Sequence, residues 1–184
     1  MSARTLYWRR LDTEGLERVT IACDGDALHV QASIIAIEDG GFQLDHQWVL
    51  SPDWSVRSLS ATRWGGKGQA SLRVQRTDAG WSVDGQPRPD LDGAEQVDLS
   101  ATPLCNTFAL RPLMRSGERT RELDVAYVDA ATLQVTRSRQ AYDRLDDGRF
   151  RYRDLGLFAG FQAVLQVQDE GLVRRYEGLF EQVL

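Results

Sequence analysis

A period-two alternation of apolar and polar residues is the feature that most limits what this chain can fold into. It runs through residues 28–34 and 42–50, and it returns at 72–74 and 161–167. A strand places successive side chains on opposite faces, so each stretch predicts a strand with one buried face. Turn signals rich in glycine and aspartate, such as 24–26, separate the stretches. The pattern predicts an all-β fold with little helix, an antiparallel meander that closes or nearly closes on itself as a barrel.

The length of 184 residues suits one domain that folds around its own core, so we expect residues 1–184 to form a single β domain. Two weak internal echoes are present: 48–56 resembles 127–135, and 72–81 resembles 163–172. An internal pseudo-duplication explains both echoes, and chance agreement between strand patterns explains them equally well.

The charge balance and the hydropathy of the chain limit its partners and its location. Acidic residues outnumber basic ones 27 to 22, so no overall positive field favours nucleic acid. No apolar run reaches the ~18–20 residues that a membrane-spanning helix needs. The first ten residues lack the apolar core of a secretory signal, so we expect a cytoplasmic protein. In that reducing compartment, Cys23 and Cys105 are expected to be free thiols.

Sequence signatures of catalysis are missing. The chain has no nucleophile elbow, zinc-protease motif, paired CxxC or phosphate loop. Its two histidines and two cysteines are scattered singly, so we expect no metal and no cofactor. His46 falls on the apolar face of a strand and is predicted to be a hydrogen-bonded core residue. These observations favour binding over catalysis.

Residues 98–115 mix apolar and polar side chains without clean alternation. Arg111 lies between Leu110 and Pro112, and a buried guanidinium needs acceptors. We therefore expect Arg111 to be largely buried and paired with an acid such as Asp98. Two interpretations remain open: a buried structural network, or a polar cluster at the end of a pocket that meets an anionic or sugar head group.

The same stretch resembles the motif TP-x-TN-x-LP-I-RR-L of a bacterial family of unknown function described as putative glycolipid-binding. The matching residues are Thr102, Pro103, Asn106, Thr107, Leu110, Arg111 and Leu113. Cys105, Ala109 and Pro112 depart from the motif, and Pro112 replaces the second of its two arginines. The resemblance extends from Trp8 to about Phe180.

This resemblance implies an incompletely closed, strongly curved antiparallel barrel, similar to carriers that hold acyl chains on their concave face. It also implies non-catalytic binding of an amphipathic ligand, a lipid or a glycolipid. Aromatic rings would contact the acyl chain, and polar side chains would meet the head group. The candidate ligand-binding residues are Asp98, Asn106, Thr107, Arg111, Tyr142 and Trp64.

Two other functions compete with this one. The chain could be an enzyme acting on a small sugar-like or anionic ligand, with Asp98 and Arg111 as its acid/base and anion-binding pair. It could also be an interaction module that forms a homodimer through its sheet edges. An apolar pocket of roughly several hundred Å³ favours the carrier. A polar cleft with a perturbed carboxylate favours the enzyme, and a filled barrel with a large apolar outer patch favours the module.

Overall fold

One large, strongly curved sheet that does not close on itself makes up most of the fold. The computed structural model describes residues 3–65, 68–146 and 148–184, and it is 60% strand and 11% helix. Helix is thus well below the ~30% of an average globular protein, and the all-β prediction is confirmed. The strands are β1 Arg4–Arg10, β2 Gly15–Asp24, β3 Ala27–Ala36, β4 Phe42–Leu50, β5 Val56–Gly65, β6 Ala70–Thr77, β7 Gly80–Val83, β8 Gln86–Pro87, β9 Ala94–Leu99, β10 Thr120–Val128, β11 Val135–Asp146, β12 Arg149–Asp154, β13 Gln162–Val167, β14 Val173–Tyr176 and β15 Phe180–Gln182.

The strands follow one another as a meander. Their order in the sheet is β8-β7-β6-β5-β4-β3-β2-β1-β15-β14-β13-β12-β11-β10-β9. β1 pairs with β15, with Trp8 opposite Gln182, so the first and last strands join the two halves of the sheet. Residues 176–184 contribute the end of β14 and all of β15.

A single α-helix among the described residues, α1 (Leu104–Ser116), connects β9 to β10. These two strands are parallel, which requires a crossover connection, whereas the other strand pairs of the sheet are antiparallel. The sequence pattern did not indicate α1 because the helix is buried on nearly all sides and therefore lacks a polar face. Neither α1 nor any other helix in the described part of the chain is long and apolar enough to cross a membrane.

Helix α1 occupies the interior of the curved sheet and separates two apolar clusters. Leu104 and Phe108 pack into a cluster with the core side chains of the first half of the sheet. Leu110 and Leu113 pack into a second cluster with side chains from β10 to β15. The ring of Phe108 lies 5.3 Å from that of Trp48, centroid to centroid, in an edge-on arrangement. The helix thus fills much of the space that the sheet encloses.

Side chains, instead of strand pairing, cover the gap between the two sheet edges. The indole Nε1 of Trp81 donates a 2.8 Å hydrogen bond to the carbonyl of Ala94 at the start of β9. The Arg76 guanidinium donates to the carbonyls of Ala94 and Glu95 and stacks on the Trp81 ring. These donors satisfy backbone acceptors that an open edge would otherwise leave free.

His46 is a hydrogen-bonded core residue, as its place in the alternation predicted. It is fully buried, and its Nδ1 accepts a 2.8 Å hydrogen bond from the Trp48 indole. Its Nε2 lies 3.1 Å from a carboxylate oxygen of Glu17. Because Nδ1 is an acceptor, the ring proton belongs on Nε2, which donates to Glu17.

The two thiols lie in different surroundings, and neither forms a disulfide. Cys23 is exposed, whereas Cys105 is buried in α1. The Sγ atom of Cys105 accepts a hydrogen bond from the backbone N–H of Leu99, and burial raises the pKa of this thiol.

Only one of the two internal echoes corresponds to equivalent places in the meander. Trp54 and Leu133 both adopt positive φ, 72° and 59°, in the turns that lead into β5 and β11. The second echo compares the β6–β7 hairpin with the β13–β14 hairpin. An additional strand, β12, lies between β11 and β13, so the two hairpins do not hold equivalent places in the meander.

Replacing Phe108 tests the role of α1 as the interior support of the sheet. The Phe108→Ala variant removes a fully buried ring that packs on Trp48 and Trp54, so we expect a loss of about 3–5 kcal/mol in the free energy of unfolding. Urea denaturation measures it. Ile37→Ala, at an exposed position, should change stability by less than about 0.5 kcal/mol. Similar small losses from both variants would contradict this role.

Candidate ligand-binding cavity

A cavity of about 530 Å³ opens between the start of α1 and the second half of the sheet. Its lining comes from β1, β9, α1, β10, β12, β14 and β15 and from the loops beside them. Its lining residues are Arg10, Asp12, Asp98, Leu99, Ser100, Thr102, Asn106, Tyr127, Tyr152, Asp154, Phe158, Phe161, Tyr176, Leu179 and Phe180. The size is within the range of small-molecule sites.

Aromatic rings in mutual contact form most of the apolar wall. The rings of Tyr152 and Phe161 are 6.1 Å apart, and those of Tyr152 and Tyr176 are 6.0 Å apart. Phe180 extends this series beside Tyr176. The ring of Tyr127 packs against the ring of Phe158 in the β12–β13 loop. Burial raises the pKa of Tyr127 to about 12. Its hydroxyl therefore stays protonated at neutral pH.

A chain of hydrogen bonds supports the polar end of the cavity. Asn106 donates to the hydroxyl of Tyr142 at 3.0 Å, and that hydroxyl donates to Gln140 at 3.1 Å. Gln140 in turn donates to the carboxylate of Asp98 at 2.5 Å. Burial, with a further contribution from the charge of Asp154, raises the pKa of Asp98 to about 6. The four linked residues come from β9, α1 and β11, so their assembly depends on the tertiary fold.

The second buried acid of the cavity, Asp154, has its oxygens occupied by the protein itself. One carboxylate oxygen accepts the hydroxyl of Tyr152, and the other accepts the backbone N–H groups of Gly156 and Phe158. In the described residues, no group of three histidine, cysteine or acidic side chains is arranged to hold a metal ion. Because two of the donors to its carboxylate belong to Gly156 and Phe158, Asp154 anchors the loop that follows it.

Among the described residues that line the cavity, the one basic side chain is already neutralised. Arg10 forms ion pairs with Asp12 and Glu38, and its guanidinium lies 5.6 Å from the centre of the Phe180 ring. Asp98 and Asp154 add two further carboxyl groups, so acidic groups outnumber basic ones around the cavity. A negatively charged head group would meet no unpaired cation among the described lining residues.

The structure brings three of the candidate residues together. Asp98 and Asn106 line the cavity, and Tyr142 lies directly behind them in the hydrogen-bonded chain. Thr107 is fully buried within α1, and its hydroxyl has no partner among the described residues. Trp64 lies at the end of β5, 39% exposed, outside the cavity lining.

The expected pairing of Arg111 with Asp98 is wrong. The acid hydrogen-bonds to Gln140, whereas Arg111 donates to the backbone carbonyl of Glu170 and lies over the Trp54 ring at 4.5 Å. Arg111 is only half-buried. Leu110 and Arg111 are adjacent on a helix and so point in directions about 100° apart, which lets one enter the core while the other leaves it.

The sequence pattern does not mark most of the aromatic wall as part of a binding site. Tyr127, Tyr152 and Tyr176 lie on β10, β12 and β14, where a core role is the ordinary interpretation of an aromatic side chain. The clearest available signal was residues 155–161, an apolar run that includes two glycines. A connection of that composition is unusual, because connecting loops run over the surface.

The raised pKa of Asp98 makes a prediction about stability. The folded protein holds a proton on Asp98 up to about pH 6, whereas the unfolded chain releases it near its ordinary pKa of 3.8. This group therefore lowers stability as pH rises from about 4 to about 6. We expect Asp98→Asn to flatten that part of the profile and to stabilise the fold at pH 8 by about 1–2 kcal/mol.

Urea denaturation at a series of pH values measures this difference. The matched control is Asp78→Asn, which removes a carboxylate from an exposed turn. If the stability profiles of wild type and Asp98→Asn run parallel over this pH range, the raised pKa of Asp98 is contradicted.

Two comparisons connect the chain to known proteins. A family model described as "Putative glycolipid-binding" matches residues 5–182. The chain is also similar to a solved crystal structure of a DUF1089 family protein from Pseudomonas aeruginosa. The TM-score is 0.78 at 29% sequence identity, and the alignment covers 91% of each chain. No curated protein matches the chain.

Proposed function

Because the chain belongs to the putative glycolipid-binding family, we propose that it binds an amphipathic ligand in its cavity and does not transform it. The observation that carries this proposal is the cavity of about 530 Å³, which combines an aromatic wall with a polar end. An elongated molecule with one apolar and one polar end matches this division. The family match, over residues 5–182, supports the further proposal that the chain acts as one binding domain.

The charges around the cavity favour an uncharged head group rich in hydroxyls, as in a glycolipid. Asp98 and the amide of Asn106 can accept hydrogen bonds from sugar hydroxyls, and Ser100 and Thr102 can both accept and donate them. The aromatic rings offer flat apolar faces to either a sugar ring or an acyl chain. An anionic lipid would bring its charge close to Asp98 and Asp154, and the repulsion would weaken its binding.

The enzyme alternative has less support from the cavity. Its proposed pair is not assembled, because Arg111 lies outside the cavity that Asp98 lines. The raised pKa of Asp98 does resemble that of a general acid. The second carboxylate, Asp154, is occupied by three hydrogen bonds, which makes it a poor base or nucleophile.

A homodimer through sheet edges remains the third alternative. The carbonyls of Ala94 and Glu95 on the edge strand β9 already accept hydrogen bonds from Trp81 and Arg76. These contacts leave fewer backbone groups for pairing with a second copy, so we place this function behind ligand binding.

Ligands with the same octyl chain and different head groups test the proposal. Octyl glucoside should bind saturably at micromolar concentration, about −8 kcal/mol, as measured by isothermal titration calorimetry. Octyl sulfate and octanoate should bind about tenfold more weakly or worse at pH 8, because their charge faces two carboxylates. The glucoside should be recovered intact, and its hydrolysis would support the enzyme instead.

Variants locate the binding site. Leu179→Trp adds bulk at the cavity wall and should weaken binding of the glucoside, whereas Ile37→Trp adds the same ring at an exposed position and should not. Asp98→Asn should strengthen the binding of octanoate several-fold by removing one repulsive charge. Arg111→Gln, outside the cavity, should leave both affinities unchanged. Absence of saturable binding by any octyl compound would overturn the proposal.

A further inference from the structure

The loop between β12 and β13, which we call the apolar loop (residues 155–161, Leu-Gly-Leu-Phe-Ala-Gly-Phe), presents large apolar side chains to solvent. Leu155 is 36% exposed, Leu157 47%, Phe158 54% and Phe161 40%. No residue of the loop is charged or has a polar side chain. Isolated exposed apolar residues are ordinary, but four within seven consecutive positions form a patch that needs an explanation.

Hydrogen bonds from the rest of the fold hold the apolar loop in this conformation. Asp154 accepts the N–H groups of Gly156 and Phe158, and the hydroxyl of Ser138 accepts the N–H of Leu157 at 3.1 Å. Gly156 packs so closely on β11 that a Cβ atom would lie 2.4 Å from the Ser138 hydroxyl and 2.6 Å from a backbone nitrogen. The fold therefore supports the outward display of these side chains instead of leaving them free to collapse.

The apolar loop borders the cavity. Phe158 and Phe161 both line the cavity, yet each is also substantially exposed to solvent, so their rings lie at its rim. Inside the rim, Phe158 contacts the ring of Tyr127, and Phe161 contacts the ring of Tyr152. One continuous apolar surface thus leads from solvent into the aromatic wall.

We propose that the apolar loop inserts into the surface of a lipid bilayer and places the mouth of the cavity against the membrane. The patch has the chemistry of hydrocarbon: it is aliphatic and aromatic, carries no charge, and continues into the cavity. A ligand with an acyl chain could then pass between membrane and cavity without exposing that chain to water. The proposal rests on the proposed function only for the nature of the ligand that passes.

The attraction should be hydrophobic and not electrostatic. The loop itself contributes no cation, and the nearby Arg139 and Arg153 are paired with Glu122 and Asp143. The protein as a whole carries a net charge of −5, which disfavours anionic surfaces. We therefore expect binding to vesicles of zwitterionic phosphatidylcholine that does not fall when salt is raised.

Leu157 is the position that separates docking from ligand binding, because it is exposed in the loop but does not line the cavity. Leu157→Asp should weaken association with phosphatidylcholine vesicles roughly tenfold or more in a flotation assay, because a carboxylate replaces an aliphatic chain that would enter the bilayer. Ile37→Asp is the matched control, since Ile37 is even more exposed (61%) and lies outside both the loop and the cavity. It should leave vesicle binding unchanged.

Titration of the same variants with monomeric octyl glucoside distinguishes the two proposals. If Leu157→Asp loses vesicle binding and keeps wild-type affinity for the glucoside, docking is supported independently of the cavity. If wild type binds the glucoside but not vesicles, the docking proposal is overturned and the proposed function stands. If wild type binds vesicles but no octyl compound, the proposed function fails and docking stands.

Two further results would also overturn the docking proposal. One is an equal loss of vesicle binding in Leu157→Asp and Ile37→Asp, which would remove the loop as its location. The other is a dimer in light scattering that Leu157→Asp converts to a monomer, which would assign the patch to a second copy of the chain.

Discussion

The burial of α1 inside the curved sheet is the interaction on which the rest of the structure depends. Phe108 packs between Trp48 and Trp54, while Leu110 and Leu113 pack into the cluster of the second half. A sheet of this curvature encloses more volume than its own side chains fill, and apolar volume left empty is costly. The helix supplies that missing core. Because it fills the enclosed space unevenly, a cavity remains beside its first turn.

The same residues that stabilise this region also give the cavity its chemistry. The hydrogen-bonded chain from Asn106 through Tyr142 and Gln140 to Asp98 joins α1 to β11 and β9. Asp154 closes β12 and fixes the apolar loop. Asp98 and Asp154 both face the cavity. Hydrogen bonds within the protein offset the cost of burying these carboxylates, and a ligand would meet acceptors that are already oriented.

The cavity meets one of the two requirements of acid–base catalysis. A general acid needs a raised pKa, which Asp98 has, and a partner group free to act as base or nucleophile. Asp154 is held by three donors, and Arg111 faces a different part of the surface. An acceptor-rich polar end beside an aromatic wall suits recognition of hydroxyl groups. The apolar loop at the rim adds a route by which a lipid could reach that site.

The sequence by itself determined the strands, because a period of two follows directly from strand geometry and survives in any tertiary context. It therefore placed Leu44, His46 and Trp48 on one buried face. The family resemblance supplied the expected curvature of the sheet and the proposed class of ligand. Only the tertiary structure decided the rest. Burial of α1 on nearly all sides erased its helical periodicity, and the direction of each side chain on that helix sent Arg111 away from Asp98. The cavity joins segments distant in sequence, from β1 to β15, and no local pattern records such a meeting.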